Sequence, residues 1–236
     1  MPTSRGILVM PFSQGHTVSV ALPPHGGEGL LGFPVPPSRG IVLFAHGSGS
    51  SRFSPRNAFV AEALRRLGFA TLLFDLLTDE EAENRANVFD IALLAKRLDH
   101  AAAWVRGMPA ERPLPMGFFG ASTGAAAALV AAAARDDVAA IVSRGGRPDL
   151  AGQALTKVTA ATLLIVGGDD PEVLSLNKAA YRRLSCTRRL EVVPGATHLF
   201  EEPGTLEAVV ALAGAWFERH LASDAVEAGH AVQRSA

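Results

Sequence analysis

Cysteine is almost missing from this chain: Cys186 stands alone among 236 residues. A lone thiol closes no internal disulfide and builds no cysteine-rich zinc site. One thiol suits a reducing compartment, and a cytoplasmic location is the expectation. An excess of either charge is missing too, with 22 Lys and Arg against 23 Asp and Glu. A general binder of nucleic acid or of an anionic membrane surface needs a basic surplus, so neither partner is expected. Long apolar runs are absent. No stretch approaches the roughly 18 residues of a spanning helix. The longest candidate, 125–134, is mostly alanine, stops at Arg135-Asp136-Asp137, and reads as a buried helix. The first ten residues hold one arginine, Arg5, and then four consecutive apolar residues, too few for a signal-peptide core. There is no internal repeat and no block of like charge. With 12 Phe, 2 Trp and 1 Tyr, the aromatic residues outline no particular pocket.

What the chain does have is apolar mass. Hydrophobic residues make up 48% and charged residues 19%, enough core for one α/β domain. Apolar runs of four to six residues at 41–45, 70–74, 116–119, 138–142 and 162–166 read as strands buried on both faces. A further apolar stretch, 190–193, follows them. Between these runs lie segments with helical spacing. Residues 57–67 place Phe59, Val60, Ala63, Leu64 and Leu67 on one side and stop at Gly68. Residues 88–105 carry Ile91, Leu94, Ala95, Leu98, Ala102 and Val105 on one stripe and stop at Gly107 and Pro109. Residues 122–134, 172–184 and 205–221 complete the set. Strands alternating with helices imply a mostly parallel, doubly wound sheet with helices on both faces. The first 40 residues differ. Runs at 7–10, 17–22 and 30–35 are separated by Gly/Pro turns, as antiparallel edge strands would be. The expectation is a sheet of about eight strands in one domain, 1–222. The polar, small-residue stretch 223–236 is expected to be a fraying tail.

Four short motifs carry chemistry, each after its own expected strand. Gly120-Ala121-Ser122-Thr123-Gly124 follows strand 116–119 and opens the alanine-rich helix. This is the strand–turn–helix setting of a nucleophile elbow, where a sharp turn lifts the serine hydroxyl clear of the backbone. The amide of Thr123 then lies free at a helix N-terminus, where negative charge is favoured. The plainer alternative is a glycine-rich turn with Ser122 as a helix cap. His46-Gly47-Ser48-Gly49 follows strand 41–45, and an open loop there points a backbone N–H, best that of Ser48, at a developing oxyanion. The plainer alternatives are a phosphate-cradling loop or a tight turn; a Walker loop does not fit, since no Gly-Lys-Ser/Thr follows, and Arg52 stands where a dinucleotide fingerprint wants its third glycine. His46 reads as an organiser of the loop rather than a base. Gly168-Asp169-Asp170-Pro171 follows strand 162–166. A carboxylate at that strand end orients an imidazole, and Asp170 is favoured over Asp169 because one more residue lets the chain turn first. Both also have the option of capping the next helix, and for Asp169 capping is the expectation. His198 follows Pro194-Gly195-Ala196-Thr197 on the loop after 190–193. The order Ser122, Asp170, His198 is the chain order of an α/β-hydrolase triad.

With these residues in place, the chain resembles the α/β-hydrolase superfamily from residue 1 to about 222, and within it the dienelactone-hydrolase-like group. Asp75-Leu76-Leu77-Thr78 and Ser143-Arg144-Gly145-Gly146-Arg147-Pro148-Asp149 are also similar to this group, notably to members fused to phosphoribosyltransferase domains. No such second domain is expected within these 236 residues, which show no matching phosphate loop. Dienelactone hydrolases proper use a cysteine nucleophile, whereas this elbow holds Ser122. The resemblance therefore implies a serine esterase that cleaves a small ester or lactone through an acyl-enzyme. His198 would serve as base, Asp170 as its orienter, and the amides of Ser48 and Thr123 as the oxyanion hole. No cofactor is implied, and no His-x-x-x-His spacing suggests a metal. Cap domains often enter between the strands ending at 142 and starting at 162. Only 19 residues lie there, so little or no cap is expected. Arg144 and Arg147 fall in that interval at a strand's C-terminal end, where α/β sites lie. One of them, better Arg144, would reach the pocket and favour an anionic substrate; the alternative is a salt bridge to Asp149 or Glu111. Arg52 and Arg56 are weaker candidates of the same kind. The competing readings are a binding module without turnover, and thioester or amide cleavage on the same triad.

Overall fold

The structure, a computed structural model, describes residues 15–24, 26–35, 37–109 and 113–221. The expected strand at 7–10, the expected tail 223–236 and Glu111 lie outside the described residues. Eight strands form one sheet in the order β1-β2-β4-β3-β5-β6-β7-β8. They are β1 Thr17–Leu22, β2 Gly27–Gly32, β3 Gly40–Ala45, β4 Phe69–Phe74, β5 Met116–Ala121, β6 Val138–Arg144, β7 Ala161–Gly167 and β8 Arg188–Val193. β1 and β2 form an antiparallel hairpin, and β2 joins β4 antiparallel, Leu30 opposite Leu73. From β4 across to β8 every pairing is parallel.

Period-two alternation divides the core between the two faces of this sheet. Val42, Phe44 and Phe119 point to one face, where α1 (Pro55–Arg66) and α7 (Thr205–His220) pack through Val60, Leu64, Ala213 and Phe217. Ile41, Leu43 and Phe118 point to the other, covered by α4 (Ile91–Arg106), α5 (Thr123–Ala132) and α6 (Pro171–Arg183). Burying side chains of this size stabilises by about 1.5–3 kcal/mol each. Between β6 and β7 the chain forms a 3₁₀ segment, Pro148–Lys157, kinked at Gly152 and packed on α5 and α6. It buries Pro148, Ala151 and Leu155 and adds no separate cap layer.

Two sequence expectations shift. The strand expected at 30–35 is β2, Gly27–Gly32. The hairpin turn with Gly26 at φ +69° places Leu22 opposite Gly27, and the chain leaves the sheet before Pro34, which has no N–H to offer a neighbour. The helix expected at 88–105 is two pieces, a short α3 (Arg85–Val88) and α4. Asp90 restarts the helix by accepting from the Leu93 N–H at 3.0 Å. Before them, α2 (Asp79–Glu83) starts on a reciprocal capping box between Thr78 and Glu81. No helix among the described residues is long and apolar enough to cross a membrane.

Candidate active site

The turn from β5 into α5 is as sharp as the sequence suggested. Ser122 holds φ +50° and ψ −123°, a conformation that costs an ordinary side chain about 1–3 kcal/mol. Its flanking glycines are there for room. A Cβ on Gly124 would meet the backbone oxygen of Ala45 at 2.1 Å and that of His46 at 2.4 Å; one on Gly120 would meet the Ala125 Cα at 2.4 Å. A bare Gly124 lets the elbow seat against β3 and its loop, and a bare Gly120 lets α5 fold back onto β5. The turn is bonded into β6 and the segment after it. Ser122 donates its N–H to the Arg144 carbonyl at 3.3 Å, and its own carbonyl accepts from Arg147 at 3.1 Å.

Asp170 and His198 come together across two neighbouring loops. His198 Nδ1 lies 2.8 Å from Asp170 Oδ2. The other carboxylate oxygen, Oδ1, accepts from the Val173 N–H at 3.4 Å and caps α6. The two options weighed for this residue are thus one carboxylate used at both ends. The cap expected of Asp169 is made by Asp170, which stands next to the first helical residue, Pro171; Asp169 is exposed, and its amide donates to the Ala196 carbonyl at 2.9 Å. Gly168 does the same toward Val193 at 2.8 Å, so the loops after β7 and β8 are stitched together just ahead of the pair. On the far side of His198, Glu202 accepts from Thr197, from its amide at 3.1 Å and its hydroxyl at 2.6 Å.

The Ser122 backbone and His198 both meet the corner at the end of β6. Ser122 is bonded to Arg144, and a Cβ on the next residue, Gly145, would stand 2.8 Å from the His198 carbonyl oxygen and 3.7 Å from Nδ1. Among the described residues no hydrogen bond joins the hydroxyl to the imidazole.

The loop after β3 lies directly against the elbow, with the Ser122 Cβ 2.9 Å from where a Gly47 Cβ would be. The amide of Ser48 donates to the Thr123 hydroxyl at 3.0 Å. The amide of Thr123, first in α5, has no acceptor among the described residues. Both expected oxyanion donors therefore sit beside Ser122, but one is already engaged by a hydroxyl that the sequence reading did not consider. His46 is held on both sides. Nε2 accepts from the Leu76 N–H at 3.1 Å, which leaves Nδ1–H to donate to the Gly47 carbonyl at 3.0 Å. That assigns the neutral tautomer, and burial pushes its pKa below the usual 6.5. His46 braces the loop against the end of β4.

The same loop walls a cavity of about 390 Å³, closed opposite by Leu76, Leu77, Ala82, Val88 and Leu94. Arg52 and Asp75 are on its rim. Arg52 is committed to ion pairs with Asp75 and Glu28. Arg147 closes on Asp149 through two bonds of 2.9 and 2.8 Å. Arg144, by contrast, makes no ion pair among the described residues; its Nη1 donates to the Leu199 carbonyl at 3.3 Å.

A parallel sheet in this strand order, with a strained serine after β5, an acid after β7 and a histidine after β8, defines an α/β-hydrolase. No family model matches the sequence. The solved structure of a dienelactone hydrolase from Anabaena variabilis is 53% identical, matches 89% of this chain and all of its own, and superposes with a TM-score of 0.83. The chain belongs to the dienelactone hydrolase family. Est1E from Butyrivibrio proteoclasticus, 16% identical over 86% of this chain and 98% of its own, shares the fold alone at a TM-score of 0.72. Two Mycobacterium tuberculosis proteins, from strains CDC 1551 and H37Rv and named as candidate phosphoribosyl transferases, are 62% identical over 205 residues, 86% of this chain. The chain spans about half the length of these curated relatives, 46%.

Proposed function

We propose that this hydrolase cleaves a small ester or lactone through an acyl-enzyme on Ser122. The observation that carries the reading is the 2.8 Å contact between His198 Nδ1 and Asp170 Oδ2, on the same rim as a serine held at φ +50°. With Nδ1–H donating to the carboxylate, Nε2 is the free base. It takes the Ser122 proton as Oγ attacks the carbonyl carbon. It then returns that proton to the departing alcohol oxygen. Water repeats the two steps in reverse roles and releases the acid. Serine–histidine bonds of this kind often tighten only around substrate. The developing oxyanion lies at the free amide of Thr123 and competes with the Thr123 hydroxyl for the amide of Ser48; one such donor contributes about 3 kcal/mol. The cavity of about 390 Å³ beside the loop suits the acyl or alcohol portion of a small substrate.

A fluorophosphonate probe tests the reading directly. The expected result is one adduct, located at Ser122 by mass spectrometry and lost in Ser122→Ala. Folded protein that takes no label would point instead to a binding module without turnover, the reading favoured by the missing Ser122–His198 bond. Matched esters, thioesters, amides and lactones then rank the acyl groups accepted.

A further inference from the structure

Asn177 lies in the middle of α6 on the buried stripe with Val173 and Ala180, a place where a helix ordinarily carries an apolar side chain, and it is fully buried. Its Nδ2 donates twice. One bond runs to the Val173 carbonyl one turn back, at 2.8 Å; the other runs to the Gly146 carbonyl, 31 residues away in the chain, at 2.9 Å. Two carbonyl partners fix which end of the amide is nitrogen, and Oδ1 is then buried with no donor to meet it. An apolar residue of the same size would avoid that cost but abandon the Gly146 carbonyl. The far end of the long bond is the corner after β6. A Cβ on Gly146 would meet Ser143 Oγ at 2.0 Å and the Ala125 Cβ at 2.6 Å, so its backbone is pressed against β6 and α5. Its neighbours are both engaged, the Gly145 N–H with the Ile165 carbonyl at 2.8 Å and the Arg147 N–H with the Ser122 carbonyl at 3.1 Å. The near end is the first turn of α6, whose Val173 N–H meets Asp170, the carboxylate that holds His198. One buried amide thus spans the elbow side and the acid side of the site. Among the described residues no hydrogen bond joins the Ser122 hydroxyl to His198, so their separation is set by ties between the elements that carry them.

We propose that Asn177 is a positioning residue for acyl transfer: its amide locks the β6 corner bonded to Ser122 onto the helix capped by Asp170, and so holds the hydroxyl in line with the His198 ring. This deepens the serine hydrolase reading and rests on it. A displacement of about 1 Å between reacting groups costs about 100-fold in rate, so a tie remote from the substrate governs the chemical step. Asn177 touches neither substrate nor a reacting atom on this proposal; it acts through Gly146 and Val173.

Two substitutions in the full chain dissect the amide. Asn177→Leu fills about the same space and makes neither bond. Asn177→Thr keeps a hydroxyl for the Val173 carbonyl one turn back but is an atom too short for Gly146. A third, Leu155→Ala, removes buried packing from the 3₁₀ segment that lies on the same helix and leaves the tie intact. For each, kcat and KM on p-nitrophenyl butyrate and the rate of fluorophosphonate labelling are measured well below the midpoint of its thermal melt. Both Asn177 variants are expected to lose about tenfold or more in kcat and in labelling rate, with KM within about threefold of the parent. Leu155→Ala is expected to melt at least as low and to keep kcat within about threefold. The proposal is overturned if the Asn177 variants keep kcat and labelling within about threefold, as they would if the bond served stability alone. It is equally overturned if Leu155→Ala loses as much kcat as they do. Should Asn177→Leu fail to fold, Asn177→Thr decides by the same limits. A parent chain that neither hydrolyses the ester nor takes the label sinks the hydrolase reading itself, whereas an active parent with equally active Asn177 variants sinks the role of Asn177 alone.

Discussion

Asp170→Asn separates two tasks that one carboxylate performs. On the proposed mechanism His198 becomes an imidazolium in the transition state, with its charge about 4 Å from that of Asp170. The His198 side chain is 38% exposed and that of Asp170 14%, so water screens the pair. An effective dielectric near 20 applies, and the attraction is about 4 kcal/mol. Losing it slows the chemical step about 10³-fold. An amide that donates toward Nδ1 also favours the wrong tautomer, which extends the expected fall in kcat to about 10³–10⁴. The helix cap is spared, because Asn is as good as Asp at that position. The Asn variant should therefore unfold within about 2 °C of the parent, whereas Asp170→Ala should lose about 1 kcal/mol, or 2–4 °C. Steady-state hydrolysis of a p-nitrophenyl ester and a thermal melt read both quantities on the same preparations. An Asn variant with kcat within about tenfold of the parent would refute the orienting role. An Asn variant as unstable as the Ala variant would refute the capping argument.

Two further outcomes follow from the same region. Gly124→Ala sets a methyl group 2.1 Å from one backbone oxygen and 2.4 Å from another, so strand and helix must part. A loss of about 3 kcal/mol or more is expected, a fall of at least 6 °C in the melt; a midpoint within about 2 °C of the parent contradicts the packing argument. His46 is held neutral, with its folded pKa below the usual 6.5, so the unfolded chain binds more protons as the solution is acidified. The stability it contributes is complete above about pH 6.5 and is lost as pH falls through the lowered folded value. The difference in midpoint between the parent and His46→Gln should shrink from pH 7.5 to pH 5; a constant difference would show that His46 titration is not coupled to folding.

The elbow was legible because its constraints are local: two glycines, a serine between them, an apolar strand before and an alanine run after. The preference for Asp170 over Asp169 needed only the reach of one extra residue after β7. The parallel core strands were legible for the same kind of reason, being continuous apolar runs between helical stripes. Other features hide because distant residues set them. α2 and α3 fully bury no side chain and start on capping bonds, so no apolar stripe announces them. The β2 register follows its turn and Pro34 rather than the apolar weight of 30–35. The bond from Ser48 to Thr123 spans 75 residues, and Arg52 finds its acids 23 and 24 residues away, distances over which a sequence shows no pairing. Arg147 and Asp149, two residues apart, form the one arginine pairing of this rim that the sequence offered, though it was offered for either arginine.

The stitching of the loops after β7 and β8 bears on how this scaffold can be tuned. Because Gly168 and Asp169 are tied to Val193 and Ala196, Asp170 and His198 rest on one pair of bonded loops, while Ser122 sits on the β5–α5 turn and reaches them through the β6 corner, where the Gly145 N–H meets the Ile165 carbonyl at 2.8 Å. On the proposed mechanism, a shift at that corner alters the separation of hydroxyl and imidazole more directly than the spacing of acid and imidazole. Substitutions at the β6–β7 seam should thus act as a dial on nucleophile activation, without detuning the partner that steadies the base.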